Sequence, residues 1–147
     1  MAYIRSAREV LPHMKDQSGG RIVNIGGMTA RIVAPLRVTN GIVNAGVANF
    51  TKQFAGHIAA HNITVNCVHP GITATDRLLQ GFDRQDQDAN GSVEEIKARQ
   101  IVKVLMGRLI KPQDIAAAAL FLCSPMADIV TGQSIAEDGG SAESVNY

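Results

Sequence analysis

Few side chains in this 147-residue chain combine the type and the spacing that chemistry needs. His57 and His61 stand one helical turn apart, the spacing of a two-histidine metal pair. No Glu follows His57 and no third ligand suggests itself, so they are read as two exposed histidines at a helix end. Asn40 and Asn44 share that i, i+4 spacing and so one helical face. An amide does not ionise near neutral pH and cannot serve as a general acid or base. The two tyrosines, Tyr3 and Tyr147, lie at opposite ends of the chain, and Lys52 lies two helical turns beyond Asn44. Arg31 and Arg37 are anion-binding candidates whose default is a solvated loop arginine. His69, before Pro70, either faces a pocket or packs half-buried at a strand end, and the packed reading is preferred. Asn24, near the end of a strand, is expected to bond the backbone.

Composition bounds the rest. Hydrophobic residues at 46% and charged residues at 18% describe a globular chain with a core, and the length fits one domain. A net charge of +1 with scattered Lys and Arg gives no footprint for nucleic acid. No apolar run reaches the length of a membrane span, and the first residues lack the pattern of a secretory signal. Cys67 and Cys123 sit in apolar runs and read as free core thiols of a cytoplasmic protein.

The elements that must position these groups alternate, predicting an α/β layered fold with a parallel sheet. A helix is expected over Ala2–Lys15, buried along Ile4, Ala7, Leu11 and Met14, with Pro12 weakening its last turn. Ser18-Gly19-Gly20 is a turn, and Arg21–Ile25 is a β-branched run suited to a strand buried on both sides. A helix over Gly41–Ala60 would bury Val43, Val47, Phe50, Phe54 and Ile58. Ile63–Val68 forms the next strand and ends at Pro70-Gly71, on the carboxyl edge where open α/β sheets place ligands. Polar Arg77–Ser92 reads as a mobile functional loop. Helices over Val93–Met106 and Ile115–Leu122 follow, the second with Pro112 near its start and Asp114 in its first turn. Thr131–Ala136 closes as a strand before Asp138-Gly139-Gly140.

Six pieces recur in a fixed order: LPHMK, GRIVNI, AGVANFTK, ITVNCVHPG with a following threonine, GR-xxx-P-x-DIA, and TGQ followed by GG. Together they make the chain resemble the C-terminal half of a short-chain dehydrogenase/reductase. The resemblance implies the corresponding portion of a Rossmann-type doubly wound parallel sheet, about three strands with flanking helices. It implies one partial domain over residues 1–147, with the Gly-rich TGxxxGxG turn of the cofactor-binding half lying before Met1. It further implies NAD(P)-dependent hydride transfer on a small carbonyl or alcohol. Its catalytic tyrosine and lysine fall at Asn40 and Asn44, and its serine, thirteen positions before the tyrosine, at Gly27. All three catalytic side chains are therefore replaced. Pro70, Gly71, Ile72, Thr73 and Thr75 match the segment that wraps the nicotinamide of NAD or NADP in family members. Gly26-Gly27 follows the wrong strand for a phosphate loop and is read as room for a bulkier substrate or as a tolerated loop. The two long helices and the last strand match elements by which family members assemble, implying a homo-oligomer. The alternative is a non-catalytic fragment acting through association, or one with no selected role.

Overall fold

The computed structural model describes residues 1–81 and 92–143. Its centre is a three-stranded parallel sheet of β1 (Gly20–Ile25), β2 (Ile63–Pro70) and β3 (Ser134–Glu137), in the order β1-β2-β3. Ile22 faces Val65 and Asn24 faces Cys67 across β1 and β2, and Cys67 faces Ser134 across β2 and β3. β2 is the spine: Ile63 to His69 are all buried, and Val65, Cys67, Val68 and His69 have no exposed surface. Each fully buried Val or Ile there contributes about 1.5–3 kcal/mol.

Two helices cover one face. Leu11 and Met14 of α1 (Ala2–Asp16) and Phe54, Ala55 and Ile58 of α2 (Val38–Ile58) pack with Ile22, Ile63 and Val65. α4 (Pro112–Cys123) covers the other face, where Ile115, Ala118 and Leu122 meet Val23, Val68 and Ile135. α3 (Val93–Ile101) lies in a third cluster, with Ile96 against Leu109 and beside Ile72, Ala74 and Leu78. The start of α3 is a capping box, Ser92 and Glu95 each bonding the other's backbone N–H. Asp114 accepts from Lys111 N at 2.7 Å and pairs with Arg108, which holds its carboxyl down at about 2.

Several expectations are corrected. β1 is not buried on both sides, because it is an edge strand of the described sheet: only Asn24 is buried and Ile25 is exposed. The buried stripe of α2 is Val47, Thr51, Ala55 and Ile58, and Val43 is exposed. Smaller residues let this helix approach β2 closely, while Phe50 and Phe54 stack on its flank at 5.1 Å. On α1, Ile4 is exposed, and the helix runs through Pro12 to Asp16. α3 ends at Ile101 rather than Met106. Cys67 is buried as expected, but Cys123 is exposed. The loop expected over Arg77–Ser92 lies mostly outside the described residues, and its start, 77–81, is helical.

Candidate functional site

Parallel strands end on one edge, and the candidate positions gather there. β1 runs out through Gly26 and Gly27 into two 3-10 turns, Met28–Ala30 and Pro35–Arg37, before the chain enters α2. Asn44 is half-buried on α2, and its Nδ2 donates to Thr29 Oγ1 at 2.8 Å. A Cβ on Gly27 would stand 2.8 Å from that same nitrogen. Positions 27 and 44 are therefore in contact. Asn40, one turn earlier, is exposed.

Gly26 is explained by the next strand. His69 lies on the α2 side of β2, fully buried, and a Cβ on Gly26 would come within 2.7 Å of its Nδ1. That Nδ1 accepts from Gly27 N at 3.0 Å, so the neutral ring carries its proton on Nε2. Cys67 Sγ lies 3.8 Å from Nε2. Burial first, and then the charge of Arg31, push the imidazole below its ordinary range, while the Gly27 bond opposes them. Burial likewise pushes the Cys67 thiol up. The space beside the glycine pair is thus filled by His69 and Asn44, and the reading of room for a larger substrate is corrected.

Other groups depart from expectation. Arg31 is half-buried rather than a free loop arginine: its Nη2 donates to Ser134 O at 2.6 Å. Asn24 bonds a side chain rather than the backbone, donating to Thr51 Oγ1 at 2.9 Å, and Thr51 donates on to Val47 O. His69 is wholly buried rather than half-buried. His57 and His61 are exposed as expected, and no cluster of three metal-ligating side chains occurs among the described residues. The Tyr3 hydroxyl donates to Ile25 O at 2.7 Å. Gly26 N donates to Val68 O, so the alternation of a parallel ladder points the Ile25 carbonyl away from β2, toward the open edge. Tyr147 lies outside the described residues.

The segment after β2 is firmly held. Ile72 O accepts from Ile110 N at 3.1 Å, and Ala74 N donates to Ile110 O at 2.7 Å, forming a bridge between Thr73 and Ile110. Thr73 Oγ1 donates to Gly71 O, and Thr75 Oγ1 accepts from Leu78 N. Gly71 passes so close to Asp138 that a Cβ would meet its Cα at 2.7 Å. Pro70, Gly71, Ile72, Thr73 and Thr75 thereby form a fixed wall at the carboxyl end of β2, where the sequence motif places them. Thr29, His69 and Arg31 are the polar neighbours that sequence reasoning missed or underweighted. The signal for His69 was its alternation with Cys67, which puts it on the face of Gly26 once the strand register is known.

With this geometry in view, the family comparisons agree. The family model described as enoyl-(acyl carrier protein) reductase matches residues 1–142. The NADPH-dependent reductase BacG of Bacillus subtilis is 35% identical over 145 residues, 99% of this chain and 56% of the relative. The inactive 2-(S)-hydroxypropyl-CoM dehydrogenase 2 of Xanthobacter autotrophicus is 33% identical over 135 residues, 92% of this chain and 56% of its own. The crystal structure of YwfH, an NADPH-dependent reductase involved in bacilysin biosynthesis, superposes with a TM-score of 0.90 at 35% identity. That match covers 98% of this chain and 55% of YwfH. The chain belongs to the short-chain dehydrogenase/reductase family of oxidoreductases. It spans about half the length of the curated relatives it matches.

Proposed function

We propose that this chain carries the substrate-side portion of a nicotinamide-dependent oxidoreductase in which the family's proton-relay side chains have been replaced. The observation that carries the reading is the Asn44 carboxamide, tied to Thr29 and set against Gly27. It occupies the lysine position of the family motif with a group that cannot ionise near neutral pH, and it abuts the serine position. Asn40, at the tyrosine position, is an exposed amide. Neither amide can give or take the proton that accompanies hydride transfer.

NAD or NADP supplies the hydride chemistry in the family, and the residues here fit one end of such a cofactor. The Pro70–Thr75 wall is rigid and presents main-chain groups and threonine hydroxyls at the carboxyl edge, so Ile72, Thr73 and Thr75 would hold the nicotinamide. The ribose end does not fit the same way, because Asn44 offers no charge. Gly26-Gly27 is packed against His69 and Asn44 and is no phosphate cradle. Residues 1–147 are read as one partial Rossmann-type domain, of a cytoplasmic protein, acting on a small carbonyl or alcohol if it turns over at all. No helix among the described residues is long and apolar enough to cross a membrane.

The second reading is a non-catalytic member that works by association as a homo-oligomer. It is favoured by apolar side chains in solvent just before α2 and after α4: Leu36 is 100% exposed and Ile129 94%. The relative named as inactive, with similar identity, shows that loss of activity is a state this family reaches. The test is a fluorescence titration with NADH and NADPH, then an absorbance assay on a panel of ketones. Weak cofactor binding without turnover is expected. Micromolar binding with cofactor-dependent turnover would refute the altered-relay reading.

A further inference from the structure

We propose that Asn40 is a modification site, converted in the folded chain to aspartate and isoaspartate through a cyclic imide with Gly41. Three observations meet there. Asn40-Gly41 is an asparagine–glycine step, in which no side chain shields the glycine nitrogen. The other such step, Asn90-Gly91, lies outside the described residues. Secondly, Asn40 is exposed. Asn24, Asn44, Asn62 and Asn66 each give the carboxamide a protein partner, and among the described residues Asn40 has none. Thirdly, α2 starts weakly. Arg37 stands at its N-cap position, no side chain caps it, and its first turn holds no acidic residue. Val38, 64% exposed, and Thr39 are β-branched, which loosens this turn further.

The reaction needs rotation about the Asn40 Cα–C bond, out of the helical setting. In the body of a helix that rotation is closed. At the start of α2 the N–H groups up to Asn40 have no intrahelical acceptor, so the Gly41 N–H makes the first helical bond. Fraying of that one bond frees the nitrogen. It then gives its proton to solvent and bonds to Asn40 Cγ, and ammonia leaves from that carbon. Water opens the ring at either carbonyl. Cleavage of the new N–Cγ bond gives aspartate, and cleavage of the original peptide bond gives isoaspartate, with the chain rerouted through Cβ. The net change is the loss of ammonia, the gain of one water and one new negative charge, with nothing oxidised or reduced. Aspartate supplies the anion that this helix start lacks. Isoaspartate adds a main-chain carbon and breaks the helical register one turn before Asn44. Neither cofactor nor turnover is involved, so the inference goes beyond the reading above and does not rest on it.

The experiment incubates the full chain at mildly alkaline pH, with circular dichroism showing that it stays folded, and follows its tryptic peptides by mass spectrometry. Trypsin releases Val38–Lys52, which carries Asn40 with Asn44 and Asn49 as internal references, because they precede Ala45 and Phe50. The expected result is the mass gain of one amide-to-acid exchange, placed at Asn40 by fragmentation, with isoaspartate among the products. Gly41→Ala should nearly abolish it, and the fold tolerates that change, since a Cβ there meets Thr29 O alone, at 3.4 Å. Arg37→Ser, which sets a capping hydroxyl before the first turn, should slow it roughly fivefold, the effect of one N-cap bond on fraying. Leu122→Val, which loosens the core on the opposite face of the sheet, should leave the rate unchanged. An intact Asn40 in the folded chain, under conditions that convert the free Val38–Lys52 peptide, overturns the proposal. So does conversion of Asn44 or Asn49 at the same rate, or an unaltered rate in Arg37→Ser. Acceleration in Leu122→Val would place the reaction in the unfolded chain and overturn it as well.

Discussion

His69 Nδ1 accepts the backbone N–H of Gly27 at 3.0 Å, and the same ring leaves no room for a side chain on Gly26. One buried imidazole thus fixes both glycines at the end of β1. A Cβ on Gly26 would approach the ring at 2.7 and 2.9 Å, with Cys67 Sγ behind it at 3.2 Å. A fully buried planar ring cannot swing aside, so the strand end must move. Gly26→Ala should therefore destabilise the fold by about 1–3 kcal/mol, the range of overpacked cores. Urea unfolding followed by circular dichroism measures this, and an unchanged midpoint would show that the ring is more loosely held than described.

The same ring sets a pH dependence. Its pKa is lowered in the folded chain, by burial and then by Arg31, so between the ordinary value of 6.5 and the lower folded value the unfolded chain binds more protons. Stability must then fall as pH drops below about 6.5 and level off once the folded ring also protonates. Among the described residues the groups that act on the ring are Cys67, Arg31 and the backbone of Gly27, and no carboxylate is among them to reverse the sign. Unfolding midpoints of the parent and of His69→Gln, compared from pH 8 to 5, should converge toward the acid end. Parallel curves would exclude His69 as the source.

Gly27 and Asn44 should prove energetically coupled. Gly27→Ser pushes its Cβ into the space of Asn44 Nδ2 and breaks the bond to Thr29, a loss of about 1 kcal/mol. With Asn44→Ala already made, the serine meets no obstacle. A double-mutant cycle on unfolding free energies should return an interaction of about 0.5–1.5 kcal/mol favouring the pair. Strict additivity would mean that the two positions do not touch.

Much of this fold was legible in the sequence because its strands are short β-branched runs bounded by glycine, proline and asparagine. Arg21–Ile25 and Ile63–Val68 each lie inside the observed strand, and the parallel order follows from the alternating helices. The face of α2 was legible only in part: Val47 and Ile58 are buried as expected, and Phe54 packs on the core. Spacing of large side chains pointed to Val43 and the phenylalanines, whereas close packing on β2 selected Thr51 and Ala55, whose small size carries little hydrophobic signal. The site was legible only as positions. That Gly26 answers to His69, and Gly27 to Asn44, depends on strand register and helix rotation, and neither is written in local spacing. Arg31 and Thr51 found partners 103 and 27 residues away, which no pattern over ten residues can reveal.

Association should follow from the open side of β1. The N–H and C=O groups of Arg21 and Val23 alternate away from β2, and a groove lined by Tyr3, Ser6, Val10 and Ile22 runs beside them. Among the described residues, the Ile25 carbonyl alone is taken on this side, by Tyr3. Such an edge, next to exposed apolar surface, favours self-association or aggregation at micromolar concentration. Ile25→Lys, at a 41% exposed edge position, should shift light scattering toward the monomer. A clean monomer for the unmodified chain would overturn this.

Restoring the family side chains should not restore activity to the 147-residue chain. Asn40→Tyr with Asn44→Lys returns an ionisable pair to one helical face, and Gly27→Ser adds the third family side chain. Proton transfer is nevertheless one requirement among several. Most of the binding free energy of a dinucleotide comes from its pyrophosphate and adenosine contacts, typically at a Gly-rich turn opening a helix. On the reading proposed above, the wall at Pro70–Thr75 would meet the nicotinamide end alone, and Gly26-Gly27 is packed against His69 and Asn44 instead of being free to cradle phosphate. Each missing element acts at a different step, so repairing one leaves the others limiting. The triple variant is therefore expected to give no NADH or NADPH oxidation above background with small ketones, despite a folded spectrum. Turnover by this variant would show that the dinucleotide is held by residues other than those assigned here.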